Sequence, residues 1–243
     1  MIKSDGRREL PLVLLCAAVF LDPMDLSLMG VALPAIGKDL SLPEGTLQWL
    51  VSGYAVTYGG FLLLGGRLAD LFGRRRMFLL SLGVFAAASL VGGLLSEGWL
   101  LAVTRVVKGL AAALTAPAAL SLITTTFTEE SRRNRALGVY APAGAAGYSG
   151  GLIASGLLTE VSWRLVFFLP VPIALLVLIT SAVQIGAGIG VAVLASLMAA
   201  AGPGIESYHT AFLAAGCFSL GGAILTHFGL RVRTRAAETR VPA

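Results

Sequence analysis

From Leu165 to Ala201 the chain carries no charged side chain. One helix of that length would measure about 55 Å at 1.5 Å per residue, against a hydrocarbon core of about 30 Å. The stretch therefore reads as two membrane helices in a tight hairpin, turning at Thr180-Ser181-Ala182-Val183-Gln184. Comparable runs of about 18–25 residues recur along the rest of the chain, each enough to cross a bilayer once. Soluble domains carry about 25% charged residues; here the figure is 13%, with 56% hydrophobic residues and a mean hydropathy of +0.85. The expected fold class is all-α, a polytopic membrane helix bundle of about eight transmembrane helices. Their expected spans are 11–33, 46–66, 77–96, 99–123, 137–158, 164–181, 183–201 and 209–230, with the first beginning at Pro11 and stopping at Pro34.

The basic residues orient this bundle. Lys3, Arg7 and Arg8 precede the first span, and Arg67, Arg74, Arg75 and Arg76 join the second to the third. Arg132, Arg133 and Arg135 join the fourth to the fifth, and Arg231, Arg233, Arg235 and Arg240 follow the eighth. Fourteen of the eighteen basic residues thus fall on one side, while Lys38 and Arg164 fall on the other. Positive charge accumulates on the cytoplasmic side, so both termini are expected there. The net charge of +5 is dispersed over short loops and the two ends, which argues against a nucleic-acid partner. The apolar stretch after Arg8 is too long for a signal-peptide core and reads as the first membrane helix. Cys16 and Cys217 are far apart in apolar segments and read as buried thiols, and His209 and His227 read as interfacial. No nucleophile–base pair, phosphate loop or metal-ligand spacing stands out, so neither catalysis nor a metal or cofactor site is expected.

Four stretches carry chemistry. Asp22 and Asp25 flank Pro23 in the first span, three apart and hence on one helix face. Acids inside a membrane helix are costly and mark functional sites. Burial disfavours a carboxyl's charged form, so such a group suits proton exchange; the alternative is a structural ion pair or a cap for backbone groups freed at the proline. Arg105 and Lys108 are likewise three apart, about 9 Å and 13 Å below the outer end of the fourth span, and Asp25 is about 12 Å below the outer end of the first. Two acids and two bases at similar depth are expected to face each other across one polar cavity. Alternatively, Lys108 snorkels to a polar surface. The fifth span holds Gly138, Gly144, Gly147, Gly150, Gly151 and Gly156, and Gly147, Gly151 and Ser155 form a small-residue face suited to close helix packing. Gly66, Asp70, Gly73, Arg74 and Arg75 fall in the connection after the second span, read as a short loop with a positive-inside role or a gating one.

Together these stretches resemble the 14-helix drug:proton antiporter branch of the major facilitator superfamily. Gly66, Asp70, Gly73, Arg74 and Arg75 match its loop motif. Asp25 with Val31-Ala32-Leu33-Pro34 is similar to its first-helix motif, although Gly30 stands where asparagine is usual. Leu101, Arg105, Gly109 and Ala113 match its fourth-helix motif, with Lys108 replacing a usual glutamine. Gly138, Gly147 and Gly151 fit the antiporter-type fifth-helix motif, with Leu152 and Ser155 replacing a usual proline and glycine.

The resemblance implies a six-helix N-terminal lobe over 1–181, two helices like the branch's last pair over 182–230, and a basic cytoplasmic tail over 231–243. Nearly all of the second lobe would be missing between them. The implied activity is proton-coupled export of small amphipathic or drug-like compounds from a multi-pass position in the cell membrane. The implied partners are the bilayer, protons, a small-molecule substrate and a second copy or partner lobe to complete the cavity, because such carriers rock two lobes about a midplane site. The alternative is an internally truncated, non-transporting remnant, or a lobe that packs against a full-length relative and regulates it.

Overall fold

The computed structural model describes residues 6–181 and Ser196. The chain divides into two compact units, Met1–Ser181 and Ala182–Ala243, and the helices described belong to the first. The expected spans over 183–201 and 209–230, the tail, Cys217, His209 and His227 lie outside the described residues, Ser196 excepted.

The architecture is an all-α membrane bundle. Helix α1 covers Gly6–Leu40, α2 Glu44–Phe72, α3 Arg74–Leu94, α4 Gly98–Thr126 and α5 Glu130–Val161. Helix α6 opens at Arg164–Phe168 and resumes after a turn at Leu169, ending at Ser181. Five of these helices are long and apolar enough to cross a membrane: α1, α2, α3, α4 and α6. α5 has the length, at 32 residues, but its first turns carry Glu130, Arg132, Arg133 and Arg135 and its middle is glycine and alanine.

Two expectations are corrected. Pro34 does not stop the first helix, which runs on to Leu40 with Pro11, Pro23 and Pro34 inside it. A proline removes one backbone donor, but membrane helices tolerate it because neighbouring groups satisfy what is freed. The connection after the second span is also not a loop of eleven residues. Gly66, Arg67 and Asp70 lie on α2, Arg74, Arg75 and Arg76 open α3, and Gly73 alone joins them at φ +92°. That conformation is open to glycine and strained for other residues.

The helices pair as α1 on α5 and α2 on α4, with α3 along the other flank of α4. Lipid removes the hydrophobic drive between helices, so close backbone approach must hold them. Any side chain at Gly147 would run into the Phe20 carbonyl, and one at Gly151 into Met24 and Ser27. One turn on, the Ser155 hydroxyl donates to the Leu28 carbonyl at 2.7 Å. On α2 and α4, Gly65 is pressed against Ala113, and Gly109 against Tyr54 and Thr57. Thr57 Oγ1 also donates across this seam to the Val106 carbonyl at 3.2 Å.

Polar ties close both ends. Trp163 Nε1 donates to Asp39 at 2.8 Å, joining the end of α1 to the start of α6. Arg164 donates to the Gly93 and Leu95 carbonyls at 3.2 and 2.7 Å and to Ser96 Oγ at 3.0 Å, satisfying carbonyls that the end of α3 leaves open. Arg164→Ala is expected to cost about 1–3 kcal/mol, read as a lower unfolding temperature in detergent. At the other end of α3, Arg75 donates to the Ser181 carbonyl at 3.3 Å.

Candidate functional site

The i, i+3 spacing of Arg105 and Lys108 puts both cations on one face of α4. Gly109, beside them, lets the α2 backbone come in close. On α1, Gly147 and Gly151 of α5 press against the turn from Phe20 to Met24, which includes Asp22 and immediately precedes Asp25. Helices α5 and α2 thus pack against the turn of α1 and the turn of α4 that carry the charges.

At their meeting point Asp25, 2% exposed, accepts from both cations. Its Oδ2 takes Arg105 Nη1 and its Oδ1 takes Lys108 Nζ. Arg105 and Lys108 are both wholly buried. Arg105 Nε donates to the Leu50 carbonyl at 2.8 Å, and its guanidinium lies over the Tyr54 ring at 4.6 Å. The Lys108 ammonium faces the rings of Phe85 and Phe167 at 4.7 and 5.5 Å. Cations over ring faces gain most where water is absent. A buried ion pair gains little over apolar packing, but breaking one strands a charge at about 3–5 kcal/mol.

Asp22 is placed differently. It is 7% exposed, and its Oδ2 is buried without a hydrogen-bond partner. Tyr54 donates its hydroxyl to the Asp22 backbone carbonyl at 3.4 Å, and Tyr54 and Tyr58 stack with ring centroids 6.1 Å apart. The Nη2 of Arg105 is also buried and unpaired. Of the four charges expected to face each other, Asp25, Arg105 and Lys108 are in direct contact, and Asp22 stands beside them with no ion pair among the described residues. Lys108 does not snorkel to a surface.

The remaining sequence candidates form separate groups. Asp70 Oδ1 accepts from Arg74 Nε at 3.2 Å and Nη2 at 3.0 Å across Gly73, in an exposed pair. Exposed pairs of this kind contribute under about 1 kcal/mol, so little stability rests on it. A Cβ at Gly66 would meet Pro117 only at ordinary contact distance, 3.8 Å. Of the fifth-helix glycines, Gly147 and Gly151 carry the helix contact, whereas Gly138 and Gly156 have open space around their Cα atoms. Sequence reasoning missed Leu50, Tyr54, Phe85 and Phe167. Of these only Tyr54 left a signal, one turn before Tyr58 on the same face of a membrane helix.

Residues 15–183 match the family model described as Major Facilitator Superfamily. The chain belongs to that superfamily. Within it, the chain is similar to the puromycin resistance protein of Streptomyces alboniger, 43% identical over 176 residues, or 72% of this chain and 35% of that protein. It is similar to the cephamycin export protein of Amycolatopsis lactamdurans, 43% identical over 172 residues, or 70% of this chain and 35% of that one. The tetracenomycin C resistance and export protein of Streptomyces glaucescens is 34% identical over 179 residues, or 73% and 33%. The chain spans about a third of the length of these curated relatives. Membership makes it a multi-pass membrane protein of a transporter family rather than an enzyme. Every residue of the charge cluster lies in the matched region.

Proposed function

We propose that the chain is a lobe of a proton-coupled exporter of small amphipathic, antibiotic-like compounds, resident in the cell membrane with both termini cytoplasmic. The observation that carries this reading is Asp25, an acid buried in a membrane helix and bound by two cations from α4. A proton on Asp25 cancels the charge that holds Arg105 and Lys108, and so loosens α1 from α4. Loss of the proton restores the clasp. This converts proton binding into a change at a helix seam, which is what a rocking carrier needs. In this reading the exposed Asp70–Arg74 pair at the α2–α3 junction, with Arg75 beside it, serves as the gating contact toward a second lobe.

The names of the relatives support the substrate class, and the distribution of basic residues supports the orientation. The test is ethidium efflux from cells lacking their own exporters, comparing wild type with Asp25→Asn at matched membrane expression. Wild type is expected to export in a protonophore-sensitive way and Asp25→Asn to fall to background. Absence of efflux from well-expressed wild type, across ethidium and a panel of antibiotics, overturns the reading in favour of a lobe that modulates a full-length relative.

A further inference from the structure

Two atoms of the buried cluster lack partners: a carboxylate oxygen of Asp22, an acceptor without a donor, and Arg105 Nη2, a donor without an acceptor. Buried polar groups are nearly always satisfied. A cluster with a spare acceptor beside a cation already in use has a second arrangement available to it. The question is which cation can move.

Arg105 is fixed from three sides, by Asp25, by the Leu50 carbonyl and by the Tyr54 ring. Lys108 is held by Asp25 alone among the hydrogen bonds described, with the Phe85 and Phe167 rings facing its ammonium. Ring faces attract a cation without fixing its direction, and the lysine stem is long and flexible. Asp22 is three residues from Asp25, about 5–6 Å away between Cβ atoms on the same face, and Asp25 is where the Lys108 ammonium rests. The groups around Asp22 are Asp25 on α1, Tyr54 and Tyr58 on α2, Lys108 on α4 and Tyr140 on α5. Among these described neighbours Lys108 is the one cation.

We propose that Asp22 and Lys108 form a second charge couple, in which the Lys108 ammonium passes from Asp25 to Asp22 when Asp25 takes up a proton. Protonating Asp25 would otherwise strand two adjacent buried cations. Transfer of Lys108 to Asp22 leaves Arg105 on its backbone and ring contacts and gives the ammonium an anion again. The step moves one proton onto a carboxylate, breaks the two ion pairs that Asp25 makes with Arg105 and Lys108, and forms one in their place, between Lys108 and Asp22. It rests on the proposed role of Asp25 and adds a positioning role for two residues beside it.

The test is a double-substitution cycle with Asp22→Asn, Lys108→Gln and the two combined. Each single substitution is expected to lower the unfolding temperature in detergent by about 5–10 °C, since each leaves one buried charge unbalanced. The combination removes one charge of each sign and is expected to recover most of that loss, a coupling of the kind contacting residues show. In ethidium efflux the two singles are expected to move the pH dependence in opposite directions, one by removing a negative charge beside Asp25 and the other a positive one. A single substitution that fails to reach the membrane, where the double reaches it, is the same coupling read as expression. The inference is overturned if Asp22→Asn is silent and the double behaves as Lys108→Gln alone, or if the two effects simply add. The unfolding measurement needs no transport, so the couple is decided even where wild type exports nothing, an outcome that counts against the exporter reading only.

Discussion

Arg105→Ala is expected to cost about 3–5 kcal/mol of stability and to abolish proton-driven export, with Arg105→Lys recovering part of the stability and none of the export. The arginine does three things at once: it binds Asp25, donates to the Leu50 carbonyl and covers the Tyr54 ring. A lysine offers a point charge on a flexible stem and no planar fork, so it cannot span a carboxylate on α1 and a carbonyl on α2 together. It would also place a second ammonium beside Lys108. Thermal unfolding in detergent and ethidium efflux at matched expression separate the two losses. Full export by Arg105→Lys would mean that charge alone matters and that the tie to α2 is incidental.

Gly109→Leu is expected to be as severe by a different route. Its side chain would occupy the space of the Tyr54 backbone and Thr57 Oγ1. Backbone cannot yield as a side-chain tip can, so α2 must move away, taking the Leu50 carbonyl and Tyr54 ring from Arg105. Little folded protein is expected, read as loss of a monodisperse peak in size-exclusion chromatography. Gly66→Ala is the control on the same pair of helices. The nearest atom to its new methyl is Pro117 Cβ at 3.8 Å, so near-normal yield is expected. Equal behaviour of the two variants would contradict the close α2–α4 approach.

The membrane bundle was legible because apolar length and charge placement act locally. A run of apolar residues bounded by arginines states a span whatever else the chain does. The pairing of Asp25 with Arg105 and Lys108 was partly legible, since depth along a helix follows from residue count. What could not be read was which acid takes both cations. That depends on rotation of α1 about its axis, set by Gly147 and Gly151 pressing on Phe20 and Met24. The Leu50 carbonyl was invisible for a related reason, because every residue has one and only the approach permitted by Gly109 selects it. Pro34 misled because helix-breaking rules come from water, where a lost hydrogen bond ends a helix more readily. The Gly66–Arg76 stretch misled because its charges suggested a loop, although charged residues sit comfortably on helix turns that emerge from a bilayer.

The most direct test of the central claim, proton exchange at Asp25, uses everted membrane vesicles with an imposed pH gradient, acid inside, and ethidium outside. Wild type is expected to accumulate ethidium only while the gradient stands and to release it when the gradient is collapsed. Asp25→Asn, at equal abundance in the same membranes, is expected to show no gradient-driven accumulation. Gradient-driven accumulation by Asp25→Asn at the wild-type rate would contradict the account and leave the buried cluster a structural clasp.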